Sequence, residues 1–419
     1  MLLTQSNQIR GLTKTEYSIL KELCWISKNL YNVALYNIRQ HYFKEKQYLR
    51  YESNYHACKT NDNYKLLQAG VSQQTLKVAD RTFRSFFGLI KKARSSGYEF
   101  RDIRLPHYLK KDGLFLLIFS TNAIAIKDGF FIVPFSRTYS KLHPDIKIRI
   151  PFPKRLADKR IKEVRIIPKY DGQFFSIEYV YEAEAEPQHL NQGNALSIDI
   201  GLENLATCVS SRTGASFIMD GRKLKSINQL YNKNKARLQS IADKQGVKHT
   251  RQIARLTVKR NNQTKDYLHK TARYIINYCL ENNIGTLIVG YNANFKRGIN
   301  IGRKNNQSFA QISFGKLRDN LKNLCSRYEI RYVVQEESYT SKASFLDKDD
   351  IPVYEPASSC NHSFCGRRIK RGLYQSADGT AINADINGAC NILQKSKQNF
   401  DFEELCRGLL VSPLRIRVA

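Results

Sequence analysis

The chain has 419 residues, of which 42% are hydrophobic, so it can bury cores in about two or three domains and global disorder is excluded. Lys and Arg number 68 against 37 Asp and Glu, and the net charge of +31 predicts a polyanionic partner, most commonly nucleic acid. No apolar run approaches the roughly 18 to 20 residues of a membrane span, no basic amphipathic helix favours a membrane surface, and no secretory signal opens the chain. The nine cysteines are scattered and odd in number, which argues against a disulfide framework. We therefore expect a cytoplasmic nucleic-acid-binding protein.

Two helices are predicted in the first hundred residues. The first begins after Thr13, since Thr13 and Glu16 have the spacing of a capping box. The second runs from about Val71 to Arg94 and has a basic side. The cations selected on this side as candidate nucleic-acid contacts are Lys77, Arg81 and Arg84. A solvated helix face explains them equally well, so both interpretations stay open.

Between about Gly113 and Glu182 the pattern changes to short β-prone runs, with Asp128-Gly129 and Asp171-Gly172 as hairpin turns. A small β-barrel fits this pattern best. Alternation over residues 146–150 predicts a basic outer face, because Lys147 and Arg149 alternate with isoleucines.

After a polar linker the order becomes strand, turn, strand, long helices, strand, helix, strand and helix, which is typical of a sheet covered by helices. Two long basic helices, about Leu224–Asp243 and Thr250–Asn282, interrupt the predicted sheet. The candidate nucleic-acid contacts in the second of them are Arg251, Arg255 and Lys259.

Asp199 is the first candidate site residue. It ends an apolar strand in Ala195-Leu-Ser-Ile-Asp199-Ile-Gly201, where an acid must be paired, protonated or bound to metal. A turn aspartate explains such a pattern about half the time, so Asp199 needs partners.

One partner is Asp385, at the beginning of a predicted helix in Asn383-Ala-Asp385-Ile-Asn-Gly-Ala-Cys-Asn391-Ile-Leu393. The alternative is that Asp385 is merely the N-cap of that helix.

These motifs identify a resemblance that covers essentially the whole chain. With Tyr339-Thr-Ser341, Gly366 and Gly372-Leu-Tyr374, they resemble the TnpB (OrfB) proteins of bacterial insertion sequences, relatives of type V CRISPR effector nucleases. Weaker matches are Asp266-Tyr-Leu-His-Lys270, Phe83-x-x-Phe86-Phe87 and Leu105-Pro-x-Tyr108. The two Asp motifs in this order, with Thr-Ser between them, make the combination specific.

The resemblance implies a RuvC site of three carboxylates: Asp199, a glutamate on the fourth strand, and Asp385. The fourth strand should be residues 285–292, where Gly290 stands in place of the glutamate. The next strand ends in Glu336 and Glu337, and a subset of the family resembles this chain in having the glutamate there. We expect Glu337 to complete the site and place Glu336 second, since strand alternation lets only one face it; a pair of solvated loop acids is the alternative.

The chemistry implied by these ligands is phosphodiester hydrolysis with two Mg²⁺ ions about 4 Å apart, held by Asp199, Glu337 and Asp385. Zinc is not expected, because only Cys360, His362 and Cys365 remain where many relatives have two cysteine pairs, and structural zinc takes four ligands. Arg367 and Arg368 in this loop are expected to contact phosphates instead.

The resemblance further implies the fold class and domains: α/β plus β-barrel, with an RNase H-like RuvC domain after a wedge. The predicted ranges are a wedge-like β-barrel (1–12 and 98–186), a helical recognition domain (13–97), a linker (187–192) and a RuvC-like nuclease domain (193–419) with a helical insertion (221–283) and a degenerate zinc-ribbon-like loop (340–380).

The function so implied is a transposon-associated, RNA-guided DNA endonuclease of a prokaryote. Its partners are a transposon-encoded guide RNA and double-stranded target DNA, which it would meet at the nucleoid. The alternatives are a catalytically dead RNA-guided DNA binder, a guide-independent RuvC-like nuclease, and a transposase that joins strands itself.

Overall fold

The computed structural model describes residues 1–95, 99–248, 250–292, 302–354, 362–409 and 412–418. The chain divides into two compact units, Met1–Ala183 and Glu184–Ala419. Among the described helices, none combines the length and apolarity needed to cross a membrane.

The helices of the first unit form its core together with two sheets. They are α1 (Lys14–Glu45), α2 (Tyr51–Cys58), α3 (Asp62–Leu66), α4 (Ala69–Ser95) and α5 (Arg137–Leu142). The capping box predicted at the start of α1 is confirmed, since Thr13 and Glu16 bond reciprocally to each other's backbone. One face of α1 is buried against α4, with Leu20, Leu30 and Leu35 fully inaccessible.

The strands of the first unit pair in two separate antiparallel groups. They are β1 (Leu2–Gln8), β2 (Leu117–Ser120), β3 (Ala125–Lys127), β4 (Phe130–Ile132), β5 (Arg149–Pro151), β6 (Ile161–Lys169) and β7 (Phe174–Glu182). One sheet has the order β1-β7-β6-β2 and the other the order β3-β4-β5. The turn predicted at Asp128-Gly129 joins β3 to β4, with φ of 49° and 74° as a two-residue hairpin requires. The predicted alternation is also present: Lys147 and Arg149 are exposed, and Ile148 and Ile150 are buried.

The prediction of a closed β-barrel is wrong for the described residues. In the four-stranded sheet β1 and β2 are the two edges, and no ladder joins them. The three strands β3, β4 and β5 have three residues each, and they pair among themselves rather than extending the larger sheet. A barrel needs a continuous ring of hydrogen-bonded strands, and periodicity alone could not show that the seven strands divide into two groups.

The second unit is built on a six-stranded mixed sheet. The strands of the whole unit, which also has a second, smaller sheet, are β8 (Ala195–Asp199), β9 (Asn204–Ser210), β10 (Ser216–Asp220), β11 (Thr286–Tyr291), β12 (Arg331–Glu336), β13 (Arg367–Lys370), β14 (Leu373–Gln375), β15 (Ala381–Asn383) and β16 (Leu414–Ile416). The large sheet has the order β12-β11-β8-β9-β10-β16, and β13, β14 and β15 form a small antiparallel sheet. Strands β8, β11 and β12 run parallel to one another, so their carboxyl ends lie at one edge.

The helices of the second unit connect and cover these strands. They are α6 (Arg222–Lys244), α7 (Arg251–Glu281), α8 (Arg303–Gln311), α9 (Phe314–Tyr328), α10 (Ala384–Lys395) and α11 (Phe402–Leu409). Helix α10 packs across β8, β9 and β11, while α7 and α9 pack against each other. The predicted strand over residues 285–292 is β11, and β12 lies next to it in the sheet as expected, with Tyr291 opposite Glu336.

Candidate active site

Asp199 is the last residue of β8, at the edge where the carboxyl ends of β8, β11 and β12 meet. Residues of β8 before it are buried, whereas Asp199 itself is partly accessible. Its carboxyl group lies against helix α10. The chain then turns at Gly201 and continues into β9. The strand therefore delivers one carboxylate to a defined point at the sheet edge.

Helix α10 delivers the second carboxylate. Its N-cap is Asn383, whose side chain accepts hydrogen bonds from the backbone N–H groups of Asp385 and Ile386. The interpretation of Asp385 as the cap is therefore wrong, because the cap position is already taken and Asp385 lies in the first helical turn. The Asn204 side-chain amide donates a hydrogen bond to Asp385 Oδ2, and this contact orients the carboxylate from the neighbouring strand.

Gly388 lets α10 approach Asp199 closely. A Cβ atom at position 388 would lie 2.8 Å from Asp199 Oδ2, inside any normal van der Waals contact. The helix therefore packs its glycine directly on the carboxylate. Asp385 lies one turn earlier on the same helix, so α10 sets the distance between the two aspartates.

Gly290, near the end of β11, leaves a space that Glu337 fills. A Cβ atom at position 290 would lie 2.8 Å from Glu337 Oε2 and 2.6 Å from Ile392 Cδ1. The carboxylate of Glu337 thus lies too close to position 290 for a side chain to begin there without a shift. Gly290, which stands where the resemblance implies a glutamate, makes room for the acid that directly follows the neighbouring strand β12.

Glu336 is directed to a different partner. Its carboxylate accepts a hydrogen bond from Lys395 Nζ at 2.6 Å, and that ammonium is almost fully buried and also donates to the carbonyls of Ser338 and Pro352. Burial raises the pKa of Glu336, but the hydrogen bonds from Lys395 and Ser338 outweigh it and the pKa is lowered. Glu336 is therefore an ionised acid whose charge is balanced by Lys395.

The segment that carries Glu337 is fastened to α10 by two buried asparagines. Thr340 donates to the Glu337 carbonyl through its backbone N–H (3.3 Å) and its hydroxyl (2.9 Å). The Asn391 amide in turn donates to the carbonyls of Thr340 (2.8 Å) and Ala343 (2.7 Å). Asn387 donates to the same Ala343 carbonyl and accepts from a backbone N–H. These contacts hold the Tyr339-Thr-Ser341 segment against the helix formed by the Asn383–Leu393 motif.

The electrostatics of the site reflect carboxylates held close together. Burial, then the charges of Asp385 and Glu337, raises the pKa of Asp199 to about 8, and the charge of Arg368 opposes this. Burial also raises the pKa of Glu337, while Arg318 counteracts it. A cation placed among these groups would relieve their repulsion.

Two arginines of the β13–β14 hairpin border the site. Arg368 Nη2 lies 3.5 Å from Asp385 Oδ1, and Arg371 Nη2 lies 3.0 Å from Glu203 Oε1. Lys225 also pairs with Glu203, at 2.7 Å. Arg368, predicted as a phosphate contact, therefore has a carboxylate partner in this structure. Arg367 is exposed on the same strand.

The remaining predicted nucleic-acid contacts lie on exposed helix faces. Lys77, Arg81 and Arg84 are exposed on α4, where Arg84 pairs with Asp80 at 2.8 Å. Arg251, Arg255 and Lys259 are exposed on α7 at intervals of four residues, which places them on one face.

The donor chemistry of the site fits Mg²⁺, which prefers carboxylate oxygens. Within the described part of the chain, however, no three His, Cys, Asp or Glu side chains converge closely enough to hold an ion as positioned. The carboxylates would have to close around it. In the loop considered for zinc, Cys360 lies outside the described residues, and the Cys365 N–H donates to Asp349.

The chain is similar to one protein family and to several solved structures. The family described as OrfB_IS605, a probable transposase, matches residues 178–296, and the resemblance expected from the motifs is confirmed. The cryo-EM structure of a Cas12f1-sgRNA-target DNA complex is similar over 91% of this chain and 83% of its own, with 14% identity and a TM-score of 0.60. The mini-RNA-guided endonuclease CRISPR-Cas_phi3 matches over 96% and 94%, with 10% identity and a TM-score of 0.48. No curated protein matches the sequence.

Proposed function

We propose that the chain is a transposon-associated, RNA-guided DNA endonuclease that hydrolyses phosphodiesters at a RuvC-type site. The observation that carries the proposal is the carboxylate of Glu337 in the space above Gly290. It supplies a third acid beside Asp199 and Asp385, at the edge where strand β11 has none.

Asp199, Glu337 and Asp385 would hold two Mg²⁺ ions. Bound there, the ions would activate the attacking water and neutralise charge on the leaving oxygen. The protein's own contribution is to hold the three acids from rigid elements: a strand end, a clamped loop and the first turn of a helix.

The neighbouring residues support this arrangement. Asn204 orients Asp385 through its hydrogen bond, and Gly388 allows the helix to meet Asp199. Lys395 neutralises Glu336 and so keeps a fourth carboxylate charge out of the site. Arg368 balances Asp385 and is near enough to pass to a phosphate when DNA enters.

Guide RNA and double-stranded target DNA are the proposed partners. The similar Cas12f1 structure is a complex with an sgRNA and target DNA, and the net charge of +31 suits a protein that grips nucleic-acid backbones while base pairing selects the target. The exposed cations of α4 and α7 would bind the backbone. We retain the predicted roles of residues 13–97 in recognition and 193–419 in cleavage, and a prokaryotic cytoplasm as the location.

The decisive experiment is cleavage of a guide-matched plasmid by the protein–RNA complex, with Glu337→Gln beside Glu336→Gln as a matched control. We expect Glu337→Gln to lower the rate by about 10³-fold, since it removes a ligand charge worth several kcal/mol. Glu336→Gln should retain most of the rate.

Three outcomes would replace the proposal. Guide-dependent binding by the wild type without cleavage would make the chain a dead RNA-guided binder. Full cleavage without RNA would make it a guide-independent nuclease. Strand joining in place of hydrolysis would make it a transposase.

A further inference from the structure

Helix α1 carries a row of exposed aromatic rings. Trp25, Tyr36 and Phe43 are 46%, 53% and 45% exposed. At 100° per residue their spacings of 11 and 7 residues place all three within about 20° of one line along the helix. Tyr108, 41% exposed, joins them from the loop between α4 and β2. The row spans about 27 Å along the helix axis.

The row is not part of the core. The opposite face of α1 holds fully buried residues such as Leu20 and Leu30, and it already packs against α4. Single exposed apolar residues are normal on protein surfaces, but several large rings in line on one helix face indicate a binding surface.

The loop that carries Tyr108 is held against α1 by hydrogen bonds to its backbone. Asn32 donates to the Leu109 carbonyl and accepts from the Leu109 N–H, both at 2.9 Å. Lys28, which is buried, donates to the Lys111 carbonyl at 2.7 Å. The loop is therefore fixed along the edge of the aromatic row.

Cations are interleaved with the rings. The Arg39 guanidinium lies 4.6 Å from the centroid of Tyr108 and 5.8 Å from that of Phe43, and Lys28 Nζ lies 5.2 Å from that of Trp25. Among the described residues, Arg39 Nε is buried and has no hydrogen-bond partner. The fixed loop adds an exposed basic rim of Arg101, Arg104, Lys110 and Lys111. Lys28 is buried and helps to hold Trp25 and the loop in place, whereas the exposed rim can reach phosphates. Rings for bases beside exposed cations for phosphates are typical of sites that bind single-stranded nucleic acid.

We propose that this aromatic face of α1 stacks unpaired bases of the guide RNA. Duplex bases are already stacked on each other, so exposed rings can receive only unpaired ones. The guide is the partner bound before and during target search, whereas a single DNA strand exists only after the duplex opens. The assignment to a guide rests on the proposed function, but stacking by the α1 rings is independent of the carboxylate site.

The chain contains one tryptophan, and it lies in this row, so its fluorescence reports directly on stacking. The experiment titrates the RNA-free full chain with an unstructured twelve-nucleotide oligouridylate. We expect saturable quenching of Trp25 emission by at least about half, because a stacked base deactivates the indole.

Exposed-ring variants test the energetics by anisotropy of a labelled oligouridylate. Tyr36→Ala and Tyr108→Ala should each weaken binding by roughly tenfold, as expected for loss of one base–aromatic stack. Tyr36→Phe keeps the ring and should bind like the wild type. Leu142→Ala, which truncates an exposed apolar residue elsewhere in the same unit, is the matched control and should leave binding unchanged.

Four results would overturn the proposal. They are RNA binding without quenching, affinity unaffected by Tyr36→Ala and Tyr108→Ala, stronger quenching by oligodeoxyuridylate of the same length than by RNA, and an emission change that depends on protein concentration alone. The last would indicate self-association through this face. Glu337→Gln should quench normally, so failure of the cleavage proposal and failure of this one are separable.

Discussion

Asp199 and Asp220 end two strands of the same sheet, β8 and β10, yet their surroundings shift the pKa values of the two carboxyl groups in opposite directions. Burial raises the pKa of both. Around Asp220, hydrogen bonds from Arg222 and Arg417 outweigh burial and lower the pKa to about 2. Around Asp199, the nearest charges are carboxylates, and the pKa rises to about 8.

The difference distinguishes a structural acid, Asp220, from the acid that we propose as a metal ligand, Asp199. The charge of Asp220 is satisfied by arginines within the protein, with Arg417 Nε at 2.8 Å and Arg415 Nη1 at 3.5 Å. Asp199 has no comparable cation among the described residues, and the hydrogen bonds that surround its site fix its neighbours rather than neutralise it. A strand-end acid left uncompensated in this way is a candidate ligand for a cation from outside.

The largest expected effect is a difference in DNA cleavage between variants of the two aspartates. We expect Asp199→Asn to lower guided DNA cleavage by about 10³-fold or more while leaving the folded state intact. Asp220→Asn should instead destabilise the fold by about 2 kcal/mol, because the arginines lose their acceptor, and should keep cleavage at temperatures where the protein is folded. Cleavage rates and thermal unfolding of both variants measure this. Equal losses of cleavage in the two would remove the distinction.

Gly290→Ala tests whether the space for Glu337 is needed. The added methyl group would meet Glu337 Oε2 at 2.8 Å and Ile392 Cδ1 at 2.6 Å, so the acid must shift. A displacement of this order should cost about 100-fold in cleavage rate. Gly315→Ala, which meets nothing within 4 Å, is the matched control and should cleave like the wild type. Wild-type cleavage by Gly290→Ala would show that Glu337 does not act from this position.

Stability in EDTA should depend on pH with opposite signs for the two aspartates. The pKa of Asp199 is raised above its unfolded value, so its contribution is present below about pH 4 and lost as the pH rises through about 8. Asp220 contributes above about pH 4 and loses its contribution as the pH falls through about 2. At pH 8 to 9 we expect Asp199→Asn to exceed the wild type by on the order of 3 kcal/mol. Thermal unfolding across about pH 2 to 9 measures this, and parallel curves would contradict it.

The smallest effect concerns Arg368, whose guanidinium lies 3.5 Å from the carboxylate of Asp385. Removing the charge of Arg368 should raise the affinity for Mg²⁺ roughly two- to threefold, because an exposed pair at 3.5 Å is weak. Arg371→Gln removes the same charge from the same hairpin but from beside Glu203, and should leave the affinity unchanged. Calorimetric titration with Mg²⁺ compares them; a larger effect at Arg371 would reverse the assignment.

The sequence predicted the local parts of this arrangement. The capping box of α1, the acid at the end of β8, the hairpin turn at Asp128-Gly129 and the adjacency of β11 and β12 depend on residues close in sequence or on parallel-sheet order, and all are present. The preference for Glu337 over Glu336 as the metal ligand remains a prediction, although Glu336 is already paired with Lys395.

Contacts between distant segments could not be predicted from the sequence. Asn204 meets Asp385 across 181 residues, and Arg417 meets Asp220 across 197. The same limit explains why the prediction of a β-barrel was wrong, since the sequence of a short strand does not indicate which sheet it joins. The sequence showed Asn387 and Asn391 only as members of a motif. In the structure their buried amides donate hydrogen bonds to the carbonyls of Ala343 and Thr340.

The close approach at Gly290 also ties two positions together across the sheet. The space beside Ile392 holds one side chain, so an acid can reach it from β11 or from beyond β12, but not from both. Position 290 and position 337 therefore cannot change independently: glutamate restored at 290 alone is overcrowded, and glutamate removed from 337 alone leaves the site an acid short. The side chain that position 290 can hold is therefore limited by the side chain at position 337.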